Sequence, residues 1–221
     1  MHERTSAVAG QSGVPDAAGG TGQGWGGGGW IGAALRCPSP NCDARPPGTD
    51  VTLIVVHAIS LPPDEFGGPG VEQLFTNALD PAAHPYYATI GHLRVSAHFF
   101  IRRDGTLLQF VPTDARAWHA GVSTWRGRER CNDFSIGIEL EGCDTQPFEA
   151  VQYERLAALL RELSTRHPIE AVTGHSDIAP GRKTDPGPFF DWMCVRLALD
   201  RPGIACGPAP ENATDPASDR A

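Results

Sequence analysis

The chain has 221 residues and a formal net charge of −8, enough for one domain with tails and a core that needs no disulfides. The acidic balance argues against a nucleic-acid partner, because neutralising phosphates takes clustered Lys and Arg; the nearest cluster, Arg126-Gly127-Arg128-Glu129-Arg130, is short and interrupted by an acid. No run reaches the ~18 apolar residues of a membrane span, so no membrane role is expected.

Residues 1–29 are rich in Gly, Ala and Ser. Such a segment loses much backbone entropy on ordering and buries little, so a disordered tail is expected. It has no apolar stretch behind a basic start and therefore does not read as a signal peptide. The six cysteines, Cys37, Cys42, Cys131, Cys143, Cys194 and Cys206, form no C-x-x-C pair. A cytoplasmic protein with reduced thiols is the expectation.

A single folded domain is expected over residues 30–200. Val51 to His57 is an apolar run of strand length, suited to burial on both faces. Residues 58–94 are long and punctuated by Pro and Gly, the make-up of a lid. Val95–Ile101 and Thr106–Val111 flank Arg103-Asp104-Gly105, a hairpin signal. Phe134 to Leu140 alternates, with Ser135, Gly137 and Glu139 opposite the apolar stripe. Leu156, Leu159, Leu160 and Leu163 predict a helix over about 149–165, without a good cap residue at its start. A short strand over Ile169–Thr173 and a helix over Phe189–Leu199 follow. Residues 201–221, with several prolines among small polar residues, read as a second disordered tail. Strands interleaved with helices predict an α/β domain, a central mixed sheet flanked by helices with its site at the strand ends.

His57 and His175 each end a predicted strand and open a turn-rich loop, and Asp185 follows ten residues after His175. Two imidazoles and a carboxylate are a common ligand set for catalytic zinc, with one position left open for water. The structural alternative makes His57 a satisfied core histidine and Asp185 a cap before Pro186. Lys183, between the last two candidates, places a positive charge where a hydrolytic transition state needs one; otherwise it is an ordinary loop lysine. Glu139 suits a proton carrier beside Gly137, which leaves space for a ligand. Glu141 shares its parity, and pattern does not separate the two. A solvated glutamate on an outer face is the plain alternative. His84, His92, His98 and His119 are not read as ligands. No G-x-S-x-G, P-loop or dinucleotide fingerprint is present. Cys131, near Arg128 and Arg130, is the one cysteine with electropositive neighbours, and it lacks a convincing catalytic partner.

Several long stretches carry a resemblance. They are Val55-Val56-His57 with Ile59-Ser60-Leu61-Pro62-Pro63, His92 to His98, Arg116 to Ser123, Gly127 to Gly142, and Gly174 to Pro188. Over about Trp30 to Leu199 the chain closely resembles the AmpD-type 1,6-anhydro-N-acetylmuramyl-L-alanine amidases of bacterial cell-wall recycling, part of the wider zinc amidase and peptidoglycan-recognition superfamily. The resemblance implies a Zn2+ ion held by His57, His175 and Asp185, Glu139 rather than Glu141 as acid/base, and Lys183 as electrostatic stabiliser. It also implies that Arg94, Trp118 and Arg130 line the cleft for a muropeptide substrate. A monomer is expected. The family usually has asparagine after the first ligand histidine, where this chain has Ala58. Relatives that bind peptidoglycan fragments without cleaving them generally lack a ligand, so the complete set here favours an enzyme over a binding protein.

Overall fold

The computed structural model describes residues 25–208; the expectations for residues 1–24 and 209–221 lie outside them. A seven-stranded sheet forms the centre. Its strands are β1 (Leu35–Arg36), β2 (Leu53–Ile59), β3 (Phe99–Ile101), β4 (Leu107–Gln109), β5 (Ser135–Glu141), β6 (Ala171–Gly174) and β7 (Ala205–Cys206), in the order β7-β6-β2-β5-β3-β4-β1. Only the β3–β4 hairpin is antiparallel, so the sheet is mixed, as expected. In the parallel register of β2 and β5, Glu139 stands opposite His57.

All seven residues of β5 are buried. The alternating pattern thus marks two faces of a central strand, and no solvated glutamate face exists on it. Ile54, Val56, Ile136, Ile138 and Leu140 pack in one cluster with Leu156, Leu159, Leu160 and Leu163 of α3 (Ala150–Arg166). The helix start has a device that propensity did not reveal. Gln152 accepts from the Glu149 N–H at 2.9 Å and donates to the Ile101 and Glu141 carbonyls at 3.2 and 3.1 Å. One buried amide therefore satisfies an orphan helix donor and ties the helix to the sheet.

Residues 58–94 form a packed wall. Helices α1 (Gly70–Phe75) and α2 (Pro85–Ile90) bury Val71, Leu74, Phe75 and Tyr87 against Phe100 and Leu108 of the hairpin. His84 caps α2, its Nδ1 accepting from the Tyr86 N–H at 3.1 Å.

Order extends beyond both expected domain limits. Trp25–Gly26 pairs with Trp30–Ile31, and the buried Gln109 amide grips the connecting turn through the Ile31 N–H and the Gly29 carbonyl. At the other end β7 pairs with β6 and satisfies its outer edge. The backbone groups of these short segments find partners on the sheet, which local composition does not report.

Candidate metal centre and active site

His57 lies within β2, two residues before its end. His175 follows β6 directly, as the first residue of the one-turn helix α4 (His175–Ile178). Because β6 and β2 are parallel neighbours, both side chains emerge at the same end of the sheet. Asp185 returns to them across the loop from Ala179, and the Ser176 N–H donates to its backbone carbonyl at 2.9 Å. His57 Nδ1 lies 2.9 Å from His175 Nδ1, and Asp185 Oδ2 lies 3.1 and 3.0 Å from the two nitrogens. His57, His175 and Asp185 form a group able to hold a metal ion. Asp185 caps no helix.

The outer nitrogens are also engaged. His175 Nε2 donates to the Ala120 carbonyl at 3.2 Å, and His57 Nε2 lies 2.9 Å from His119 Nδ1. Burial lowers the His57 pKa to about 4, helped by neighbouring His175 and opposed by Asp185. For Asp185 burial alone would raise the pKa, but the His175 and His57 rings beside it prevail and hold the carboxyl well below its usual range. A neutral His57 imidazole beside an ionised carboxylate suits metal ligation.

The two glutamates of β5 separate cleanly. Glu141 Oε1 accepts from the Gly67 N–H and Oε2 from the Arg103 N–H at 3.0 Å, so both oxygens are spent holding loops. Glu139 lines the cavity with His57, His175 and Asp185 and is 8% exposed, and its Oε2 has no hydrogen-bond partner. Burial, with Asp185 adding to it and Lys183 opposing it, raises its pKa well above the usual carboxylate value. A carboxyl so placed is equipped to take and return a proton.

The cavity has a volume of about 610 Å³. The exposed Lys183 and the half-buried Trp118 lie on its wall with Ala58. Leu61, Leu74 and Ile90 of the 58–94 segment supply apolar surface opposite. Arg94 and Arg130 are not brought to this wall. The Arg94 guanidinium donates to the Gly91 and Leu93 carbonyls at 3.3 and 3.1 Å. Arg130 is exposed, with Nε 3.3 Å from Asp133 Oδ2. The space over Gly137, expected to admit a ligand, is taken by the His119 ring, and a Cβ at 137 would lie 2.5 Å from its Cγ.

A profile of the N-acetylmuramoyl-L-alanine amidase family, Amidase_2, matches residues 47–188, well over half of the chain. The chain belongs to that family. It is 62% identical over 173 residues to the 1,6-anhydro-N-acetylmuramyl-L-alanine amidase AmpD of Citrobacter freundii, covering 77% of this chain and 92% of that protein. The crystal structure of a selenomethionine AmpD derivative superposes with a TM-score of 0.77 at 60% identity, covering 78% of this chain and 97% of the other. The amidase AmiD of Escherichia coli, in complex with the substrate anhydro-N-acetylmuramic acid-L-Ala-D-gamma-Glu-L-Lys, gives a TM-score of 0.50 at 33% identity, covering 70% and 58%.

In this amidase His57, Glu139, His175, Lys183 and Asp185 all fall within the matched span. Sequence reasoning missed a second layer. Asn132 Oδ1 accepts from the His119 and Ala120 N–H groups at 3.1 and 2.8 Å, fixing the dipeptide that meets both His57 and His175. Arg182 donates to the Ala120 and Val122 carbonyls at 2.8 and 2.7 Å and also lines the cavity. The one sequence signal for this layer was Gly137, a glycine in a central strand, which marks close approach by another group. No helix among the described residues is long and apolar enough to cross a membrane.

Proposed function

We propose that this amidase is zinc-dependent and cleaves the amide bond between the lactyl group of 1,6-anhydro-N-acetylmuramic acid and L-alanine in muropeptides of cell-wall recycling. The observation that carries the reading is the meeting of His57 Nδ1, His175 Nδ1 and Asp185 Oδ2 at 2.9–3.1 Å beside Glu139. The donor set fits the ion. His175 gives its proton to a carbonyl, so its Nδ1 aims a lone pair at the ionised Asp185, and such groups repel unless a cation lies among them. Tetrahedral zinc with bonds of ~2.0–2.1 Å spaces its ligand atoms by roughly 3.3 Å, a small relaxation from the distances here. The AmpD relatives and the substrate held by AmiD support the anhydro-muropeptide as substrate.

A zinc ion held by these three residues supplies Lewis-acid polarisation and lowers the pKa of water towards ~7. Glu139 accepts a proton from the attacking water as its oxygen bonds to the amide carbon. Glu139 then returns that proton to the alanine nitrogen as the C–N bond breaks, leaving a lactyl carboxylic acid and a free amino terminus. Lys183 faces the negative charge that gathers on the carbonyl oxygen. Trp118 offers a flat apolar face to the sugar or alkyl stem. Arg94 and Arg130, which stand apart from the cavity wall, are assigned to carboxylates of a stem peptide reaching beyond it. The catalytic domain is assigned to residues 30–200 together with the flanking Trp25–Gly26 strand and β7, acting as a monomer. A complete ligand set with Glu139 and Lys183 beside it favours cleavage over fragment binding.

The test is incubation with purified anhydro-muropeptide, with and without a chelator, followed by mass analysis. Release of free peptide that stops on chelation is expected. Cleavage that survives chelation would sink the metal reading, and an intact substrate in the zinc-loaded reaction would sink the substrate assignment.

A further inference from the structure

The Nε2 edge of His57 points away from the other ligands into a chain of polar groups, and the far end of that chain fixes the direction of every hydrogen bond in it. The Cys131 carbonyl can only accept, so the Ser135 hydroxyl at 2.6 Å donates to it. With its proton spent, Ser135 Oγ accepts from His119 Nε2 at 3.1 Å. A neutral imidazole with its proton on Nε2 carries a lone pair on Nδ1, so His119 Nδ1 accepts from His57 Nε2 at 2.9 Å. His57 is thereby left with a lone pair on Nδ1, the atom that meets His175 and Asp185.

We propose that Ser135 and His119 are positioning residues that set the tautomer of His57, so that a metal is met by a lone pair and not by an N–H. The inference rests on the metal reading above, but the tautomer itself belongs to the metal-free protein and is measurable there.

Two independent features show that the relay is built into the fold. Gly137 keeps a hollow in β5 for the His119 ring, since any Cβ there would collide with Cγ, Nδ1 and Cδ2 at 2.5–2.8 Å. Asn132 pins the backbone of His119 and Ala120 together. The same dipeptide thus presents an acceptor to each ligand histidine: the His119 ring to His57 and the Ala120 carbonyl to His175. Partners of this kind fix ring orientation and raise ligand basicity, and losing one typically weakens metal binding ~10–100-fold. Without Ser135, His119 is free to carry its proton on Nδ1 and donate to His57 Nε2. That would move the His57 proton to Nδ1, where it blocks ligation.

Two measurements on the full chain decide this. Ring 15N spectra of the chelated protein should show His57 protonated on Nε2 in the unaltered chain and a shift towards the Nδ1–H tautomer in Ser135→Ala. Competition titration of zinc against a chromophoric chelator should show Ser135→Ala and His119→Leu binding ~10–100-fold more weakly. His119→Asn, whose side-chain oxygen still accepts from His57, should recover much of the loss. An Nδ1–H tautomer in the unaltered protein, or zinc held as tightly by Ser135→Ala, overturns the proposal. Should His119→Leu not fold, the spectrum and Ser135→Ala still decide. Failure of the unaltered chain to bind zinc while His57 shows the Nε2–H tautomer would refute the metal reading and uphold the relay.

Discussion

On β2 and β5, Ile54, Val56, Ile136, Ile138 and Leu140 join the cluster that α3 covers, whereas His57, Ser135, Gly137 and Glu139 lie on the opposite parity, towards His119 and the cavity. Both sets are buried. The first face is filled with hydrocarbon, where tolerance is set by volume. The second begins with the apolar Leu53 and Val55 but turns polar towards the cavity, where tolerance is set by whether each donor and acceptor finds its partner. On that polar face the exception is Glu139 Oε2. A buried polar atom left without a partner is costly, and it sits where proton transfer is needed.

The sharpest way to separate the faces is to change one residue on each. Glu139→Gln should retain zinc and lower turnover about 10²–10⁴-fold, the usual worth of a general acid/base; metal analysis with steady-state rates checks both halves. Leu160→Ala, beneath the other face, should cost about 2–5 kcal/mol of stability through the cavity it leaves, with zinc affinity in the folded protein unchanged. Denaturant unfolding and zinc titration of that variant form the control. If Leu160→Ala loosened the metal as much as it loosened the fold, the faces would not be independent.

Acid should attack the polar face first. In the chelated protein burial lowers the His57 pKa to about 4, and burial likewise keeps His98 and His119 well below the ordinary value. A depressed folded pKa means that the unfolded chain binds protons first. The stability it contributes is present above ~6.5 and is lost as pH falls from there through the folded value. For His57 alone the loss is on the order of 3 kcal/mol. Glu139, its pKa raised by burial, gains stability as pH falls and opposes this, one group against three, so urea midpoints of chelated protein between pH 7.5 and 4 should still decline across that window, and a flat profile would contradict the buried neutral state. Glu141 offers a smaller contrast on the same strand. Glu141→Ala strands the Gly67 and Arg103 N–H donors and should cost about 1–3 kcal/mol, while turnover at saturating zinc stays close to normal.

The elements that were legible in the sequence have a strong periodic signal. The Leu156-Leu159-Leu160-Leu163 spacing placed α3, and Asp104-Gly105 between apolar runs placed the β3–β4 hairpin. His57, His175, Lys183 and Asp185 were legible as a constellation, and resemblance chose Glu139 over Glu141. The hydrogen bonds that give Glu141 to Gly67 and Arg103 lie across long stretches of chain, which no local pattern reports. Alternation along β5 distinguished its faces but not their burial, because period two is the same whether the polar side meets water or a second buried layer. His119 was invisible for a related reason. Its role is set by Ser135 and Gly137, 16 and 18 residues later, and by His57 on another strand.

Ala58 touches both regions, and so it gives the finest test. It packs against the α3-covered cluster and also lines the cavity beside His57. An asparagine there, the residue the resemblance leads one to expect, would bring an amide to the rim without altering any ligand. One added hydrogen bond is worth about 0.5–1.5 kcal/mol, so Ala58→Asn should lower KM for an anhydro-muropeptide roughly 2–10-fold with kcat and zinc content unchanged. The same amide also meets the apolar cluster, so a modest fall in the urea midpoint should accompany the tighter binding. A lower KM with no loss of stability would place residue 58 wholly in the cavity. A loss of stability with KM unchanged would place it wholly with the hydrocarbon face, and the boundary between the two regions would then run between His57 and its neighbour.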